Sequence, residues 1–445
     1  MAIVEGALDE TRTTTILAKY EKDPKNVVMR HALSRNPISS VIFDPGSLVS
    51  VANEFSLDLK TLPVANQKAS GRCWIFAGLN VLREIVAKEC SLSKFELSQN
   101  YISLYDKIEK SNFALEMILA LGARDHDDRE LAFILSNPVS DGGQWDMFVN
   151  LVKKYGVMPQ EVFPETFQSN NTMEGDRLVN AAIRDFAAEA APLLRNGQVF
   201  RARTLKEQTM EKIYALFLNA FGVPPKSFDF EYTNDKGYHV EENLTPKAFF
   251  DKYIGAKIDE YQSLINSPTA DKPFNQNYTI DYLGNVLEGK RINHLNVTME
   301  RMKELIIAQL KDGEPVWFGS DVGFYRDRNS FAWDSKAFDY VNAFNIDIKF
   351  DKAKMLDYWH SAMNHAMVIT GVNLKKEKAT KWKIENSWGG DNGNAGYYVM
   401  SQEWFDTFVY QAVVLKKYLS PAERAAAEKE PKHLHPWDPM GTLAD

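Results

Sequence analysis

Cys73 is the residue in this chain best placed to act as a nucleophile. It stands where a Ser70–Gly71 turn meets the start of an apolar-periodic segment. A thiol at a helix N-terminus feels the positive end of the helix dipole and unpaired N–H groups, which favour the thiolate. Gln67 and Gly71 precede it closely and Trp74 follows directly. A cysteine nucleophile needs a partner to act as base and acid, and that partner needs an orienter. Of the 8 histidines, His365 is singled out by context, because it opens the run HAMVITG and follows Asn364. The next run, beyond the turn KKEKAT, ends in Glu385–Asn386–Ser387–Trp388–Gly389. Adjacent antiparallel strands bring such positions side by side. The Asn386 amide oxygen would then hold one ring N–H of His365 without placing a negative charge beside it. The second of the 2 cysteines, Cys90, lies at the far end of the helical segment. A helix of that length spans ~25 Å, so the two thiols cannot pair, and Cys90 reads as a small structural residue.

The elements that must position these groups are legible in outline. Residues 74–89 carry Ile75, Leu79, Leu82, Ile85 and Val86 at helical spacing, which predicts a core-facing helix. Ser98 is the expected N-cap of a second helix. Thr298 is the expected cap of a third, through Met302, Leu305, Ile306 and Leu310, ending before Gly313 and Pro315. GARDHDDRE reads as a solvated loop and DGGQWDM as a tight turn. Residues 165–290 mix short amphipathic segments with Pro, Asn, Lys and Asp, which predicts a mainly helical insertion. PVWFGSDV, HAMVITGVN, KWKIENSW and GYYVM then predict an antiparallel sheet. Helices first and strands last is an α+β arrangement.

Composition narrows the function. A length of 445 residues allows about three domains, or one core with a large insertion. A net charge of −8 argues against a non-specific grip on nucleic acid. Two cysteines exclude a disulfide framework and favour a reducing compartment. No apolar run reaches the ~20 residues of a membrane span, and the N-terminus lacks the pattern of a secretory signal.

QKASGRCW, MNHAMVITG and ENSWGG together resemble the papain-like cysteine peptidases, in which Gln, Cys, His and Asn follow in this order. DGGQWDM, KIENSWG and the terminal WDPMG are similar to the bleomycin hydrolase / aminopeptidase C branch in particular. The cysteine-to-histidine distance is ~130–150 residues in simple papain-like enzymes. Here it is about 290, and the excess agrees with the insertion. Ser70 stands where secreted members carry a disulfide cysteine, and Arg72 replaces a small residue.

The resemblance implies a papain-like core in four parts. Residues 1–164 would hold the helical half with the nucleophile, 165–290 the insertion with oligomer contacts, 291–432 the β-rich half, and 433–445 a tail entering the cleft. It implies peptide hydrolysis through an acyl-enzyme, with Cys73 as nucleophile, His365 as acid and base, and Asn386 as orienter. The Gln67 side chain and the Cys73 N–H would form the oxyanion hole, and Trp388 would shield the His365–Asn386 contact. Gly142 and Gly143 would bond an extended substrate, and Asp445 at the chain end would meet its free amine, giving an aminopeptidase. The resemblance further implies a cytoplasmic homohexamer without metal or cofactor. An endopeptidase or oligopeptidase of the same family is the alternative. Acyltransferases and transglutaminase-like proteins share a Cys–His pair, but Asn386 with Ser387–Trp388 favours a peptidase. Zinc binding is disfavoured by the spacing of Cys73, Cys90, His360 and His365, and His433/His435 read as an exposed tail. A binding or scaffold protein is the non-enzymatic reading.

Overall fold

The nucleophile segment is a helix, Cys73–Cys90, with Trp74, Ile75, Leu82 and Val86 wholly buried. It is apolar on more than one face because it is covered on more than one side. The helices Gln99–Leu121 and Trp145–Tyr155 pack on it, and the strands Val316–Ser320 and His365–Lys375 lie against it. It ends at Ser91, which adopts a left-handed conformation (φ 54°). The computed structural model describes residues 6–327 and 330–444. The expected caps are observed: Ser98 Oγ accepts from the Tyr101 N–H (3.1 Å) and Thr298 Oγ1 from the Arg301 N–H (3.2 Å).

Among the described residues the strands form one eleven-stranded sheet and a separate two-stranded hairpin. The centre of the large sheet runs Tyr261–Ile265, Val409–Leu415, Val316–Ser320, His365–Lys375, Lys378–Glu385, Tyr397–Ser401, all neighbours antiparallel. Its register places Ser320 opposite His365 and Glu385 opposite Val368, so Asn386 leaves its strand close to the histidine. The fold is α+β, as the sequence predicts, but the sheet is mixed. Three peripheral pairings are parallel, including His294–Asn296 on Tyr261–Ile265 and Lys432–Leu434 on Asn277–Ile280.

The stretch 165–290 is only partly helical. The helices Met173–Arg195 and Val199–Phe221 pack on each other and on Gln99–Leu121, and Val179, Ile183, Phe186 and Ala190 form the inward stripe of the first. The hairpin Phe228–Asn234/Gly237–Leu244 and the helix Pro246–Tyr253 follow. Then come Tyr261–Ile265 and Asn277–Ile280, both strands of the central sheet. Every residue of these two strands is buried, so they lack the polar/apolar alternation that marks a half-exposed strand.

No helix among the described residues is long and apolar enough to cross a membrane.

Candidate active site

Cys73 is the first residue of its helix and is buried, with Sγ accepting from the Ala366 N–H at 3.4 Å. The thiol thus lies against the first peptide of the histidine strand. His365 Nε2 lies 2.9 Å from Asn386 Oδ1. The Ser387 N–H donates to the same atom (2.8 Å), which identifies it as the amide oxygen. Nε2 is therefore the donor and carries the ring proton, and Nδ1 is the basic nitrogen. Trp388 lies over the imidazole, with centroids 5.0 Å apart and planes at 25°. The sequence thus brings Cys73, His365, Asn386 and Trp388 into one cluster.

Gln67 joins them through Ser387. The Ser387 hydroxyl donates to Gln67 Oε1 (2.5 Å), the Gln67 N–H donates to Ser387 O (2.8 Å), and Gln67 Nε2 donates to Ser70 O (2.6 Å). Fixing the oxygen on Ser387 turns the NH2 towards the turn that carries the nucleophile. Ser387 was visible inside the ENSWGG motif, but its grip on Gln67 requires the fold. Arg83 is a second support. Buried, it donates to Leu62 O, Pro63 O and Glu385 Oε1 (2.8 Å), and so ties the residue before Asn386 to the nucleophile helix.

Burial dominates the electrostatics. It pushes the Cys73 thiol up to about 11, outweighing the Ala366 N–H bond and the helix N-terminus. The backbone N–H groups at the helix N-terminus act in the expected direction, lowering the thiol, and burial opposes them. Burial also pulls the His365 imidazole down to about 4, against the raising effect of Asn386, with Arg326 adding to the fall.

The 140–143 segment rests on a charged platform that the sequence did not reveal. Lys110 Nζ donates to Ser140 O (3.1 Å) and to Gly142 O, and pairs with Asp106 (2.9 Å). Lys107 pairs with Asp141 (2.8 Å) and Asp176. Burial alone would raise Asp141, but Lys107 holds it well below the usual carboxylate range. Asp141 Oδ2 in turn accepts from the Gly71 N–H (2.7 Å), linking this platform to the nucleophile turn.

The C-terminal residues lie on this segment. Gly143 N–H donates to Leu443 O (3.0 Å), Gln144 Nε2 to Met440 O (3.2 Å), and Ser140 Oγ to Ala444 O. Met440, Leu443 and Ala444 are buried. A Cβ on Gly142 would lie 2.4 Å from Leu443 O, and one on Gly143 would lie 2.5 Å from the Trp74 ring, so only glycine admits the tail and the indole together. Asp445 lies outside the described residues.

The sequence model of the Peptidase C1-like family matches residues 7–441. The chain belongs to that family. It is a papain-like cysteine peptidase of the bleomycin hydrolase / aminopeptidase C branch. Aminopeptidase C of Lactobacillus delbrueckii subsp. lactis is 44% identical over 432 residues, 96% of either chain. Aminopeptidase C of Listeria monocytogenes is 43% identical over 429 residues, again 96% of both. The crystal structure of PepW from Lactobacillus rhamnosis superposes with a TM-score of 0.95 at 41% identity, covering 98% of this chain and 99% of that one.

Proposed function

We propose that this peptidase is an aminopeptidase that releases N-terminal residues through a Cys73 acyl-enzyme. The observation that carries this reading is the Gly143 N–H bond to Leu443 O. The backbone donor expected to hold an extended substrate is taken by the chain's own tail. A substrate can then place little chain on that side of the scissile bond, and its free amine comes to lie at the end of the tail. Asp445 would supply the carboxylates that meet this amine.

In this mechanism the Cys73 thiolate, its proton held on His365 Nδ1, attacks the carbonyl carbon and forms the S–C bond. The imidazolium then gives that proton to the leaving nitrogen, and later activates the water that frees the acid. Asn386 keeps Nε2 protonated and the ring aligned throughout, and Trp388 keeps water from that contact. The second N–H of Gln67 Nε2 and the Cys73 N–H stabilise the oxyanion.

The test uses amino-acid arylamides with free and blocked N-termini, with Cys73→Ala as control. Cleavage of the free-amine substrate alone supports the reading. Equal cleavage of both makes the enzyme an endopeptidase or oligopeptidase, and no thiol-dependent cleavage returns it to a binding or scaffold role. Deleting residues 440–445 is expected to open the enzyme to blocked substrates.

We further propose a cytoplasmic homohexamer with contacts through the 165–290 region. Exposed Phe167, Met173, Phe200 and Val223 on this region support self-association, and the unpaired Cys73 and Cys90 fit a reducing compartment. Light scattering at several concentrations tests the assembly.

A further inference from the structure

Residues 358–364 lead from the helix Lys352–Asp357 into the strand that His365 opens. We infer that Asp321 is a positioning residue: its buried carboxylate fixes this loop, and the loop sets both the place of His365 and the seat of the C-terminal tail. The histidine part stands on the geometry of the site alone, and the tail part rests on the aminopeptidase reading.

Asp321 is buried and follows the strand Val316–Ser320 directly, with its N–H donating to Phe408 O (3.0 Å). Its Oδ1 accepts from Asn364 Nδ2 (2.6 Å) and from the Gly323 N–H (2.8 Å). Its Oδ2 accepts from the Ser361 hydroxyl (2.7 Å). The two side-chain donors are themselves aimed. Tyr410 Oη donates to Ser361 Oγ (2.8 Å), which leaves the serine proton for Asp321. The Val322 N–H donates to Asn364 Oδ1 (2.9 Å), which turns the amide NH2 towards Asp321. An ionised carboxylate suits this place because it offers acceptors only, and all three groups bonded to it are donors. Asparagine there would set an N–H against one of them.

The loop that Asp321 holds reaches the site at two points. Asn364 is the residue before the histidine, and its N–H donates to Ser320 O (3.0 Å). That bond opens the ladder in which Ser320 pairs with His365 and Gly319 with Ala366. Because the Ala366 N–H donates to Cys73 Sγ, a shift of this entry moves the histidine relative to the thiol. The tail meets the loop one residue earlier. Thr442 Oγ1 lies 2.8 Å from Met363 O and 3.0 Å from Pro439 O, and shares its one proton between them. A Cβ on Gly319 would lie 3.0 Å from Met363 Sδ and 3.4 Å from Leu443 Cδ2, so loop, tail and strand close on one point. Leu443 O is also the acceptor of the Gly143 N–H, and the tail is thus gripped from the helical half and from the sheet half.

The test uses Asp321→Asn, Ser361→Ala and Thr442→Val in the full-length chain, each checked for folding by urea unfolding. Ser361→Ala keeps the carboxylate and decides the matter if Asp321→Asn does not fold. Alkylation by iodoacetamide, followed at the Cys73 peptide, depends on the histidine but needs no substrate. The ratio of kcat/KM for free-amine over blocked arylamides reads the tail, and a general loss of activity cancels in it. A misplacement on the order of 1 Å costs up to about 10²-fold, so Asp321→Asn is expected to slow alkylation and kcat about tenfold with KM nearly unchanged. It should also lower the free-over-blocked ratio about two- to tenfold, the worth of one neutral hydrogen bond. Ser361→Ala should do both to a lesser degree, and Thr442→Val should lower the ratio alone. A merely structural carboxylate would lower the urea midpoint and leave both readouts of the folded enzyme at wild-type values, and that result overturns the inference. A loss in Asp321→Asn carried wholly by KM overturns it too. Equal wild-type cleavage of free and blocked substrates removes the aminopeptidase reading and the tail part with it; the alkylation rate then still decides the histidine part.

Discussion

Replacing Asn386 by Ala tests the orienting role directly. Its Oδ1 accepts from His365 Nε2 (2.9 Å) and from the Ser387 N–H (2.8 Å), and both partners are buried. Alanine leaves two buried donors without an acceptor. Each such group costs about 1–3 kcal/mol, so the fold should lose about 2–6 kcal/mol. The catalytic cost is separate. The bond to Nε2 strengthens when the imidazole becomes charged, and a hydrogen bond to a charged group contributes about 1.5–3 kcal/mol. If that contribution is realised only in the transition state, kcat falls about 10- to 150-fold while KM changes little. The loss stays finite because Trp388 still lies on the ring at 25° and limits its rotation. Urea unfolding reads the first effect and steady-state kinetics with a free-amine arylamide the second. A kcat within threefold of wild type, or a loss carried wholly by KM, would refute the orienting argument. Asn386→Gln is expected to recover little, because the longer amide does not fit the same pair of bonds.

Three further outcomes follow from the same contacts. Arg83→Met leaves Glu385 buried with only Thr61 Oγ1 (2.6 Å) as a close side-chain partner, and should cost about 3–5 kcal/mol by denaturant melting. Gln67→Ala should lower kcat by about 10²–10³, and Ser387→Ala, which frees only the Gln67 oxygen, should lower it less; equal losses would remove the clamp from the argument. Burial pulls His294 down to about 3 and His365 to about 4, against ~6.5 unfolded. Their contribution to stability is thus full above pH ~6.5 and is lost as pH falls through 4 and then 3. Asp146 and Asp176 are raised by burial to about 6, so their protonation works in the opposite direction at low pH. Urea midpoints from pH 7 to 3 should fall less steeply in His294→Asn, and an unchanged slope would count against the buried neutral imidazole.

The residues proposed to carry the chemistry were readable because each sits in a short local pattern. Cys73 needed only a turn followed by helical spacing, and His365 and Asn386 needed only two strands and the turn between them. Near-neighbour strands in sequence pair in space, so their register follows from local rules. The strands Tyr261–Ile265 and Asn277–Ile280 were not readable, because complete burial erases the alternation that marks a strand. The platform under Gly142 was hidden for another reason. Lys107, Lys110, Asp141 and Asp176 come from separate elements, and nothing in their spacing says that they meet.

By itself, then, the sequence determined the candidate reactive groups, their order and the α+β class, since these depend on residue type and local periodicity. Only the tertiary structure decided their state. Burial, which depends on what every other element covers, pushes the thiol up and the imidazole down. The bond from Gly143 N–H to Leu443 O joins residues at opposite sides of the insertion. That contact exists only when the whole chain is folded, because no local rule brings a chain end to a turn so distant in sequence.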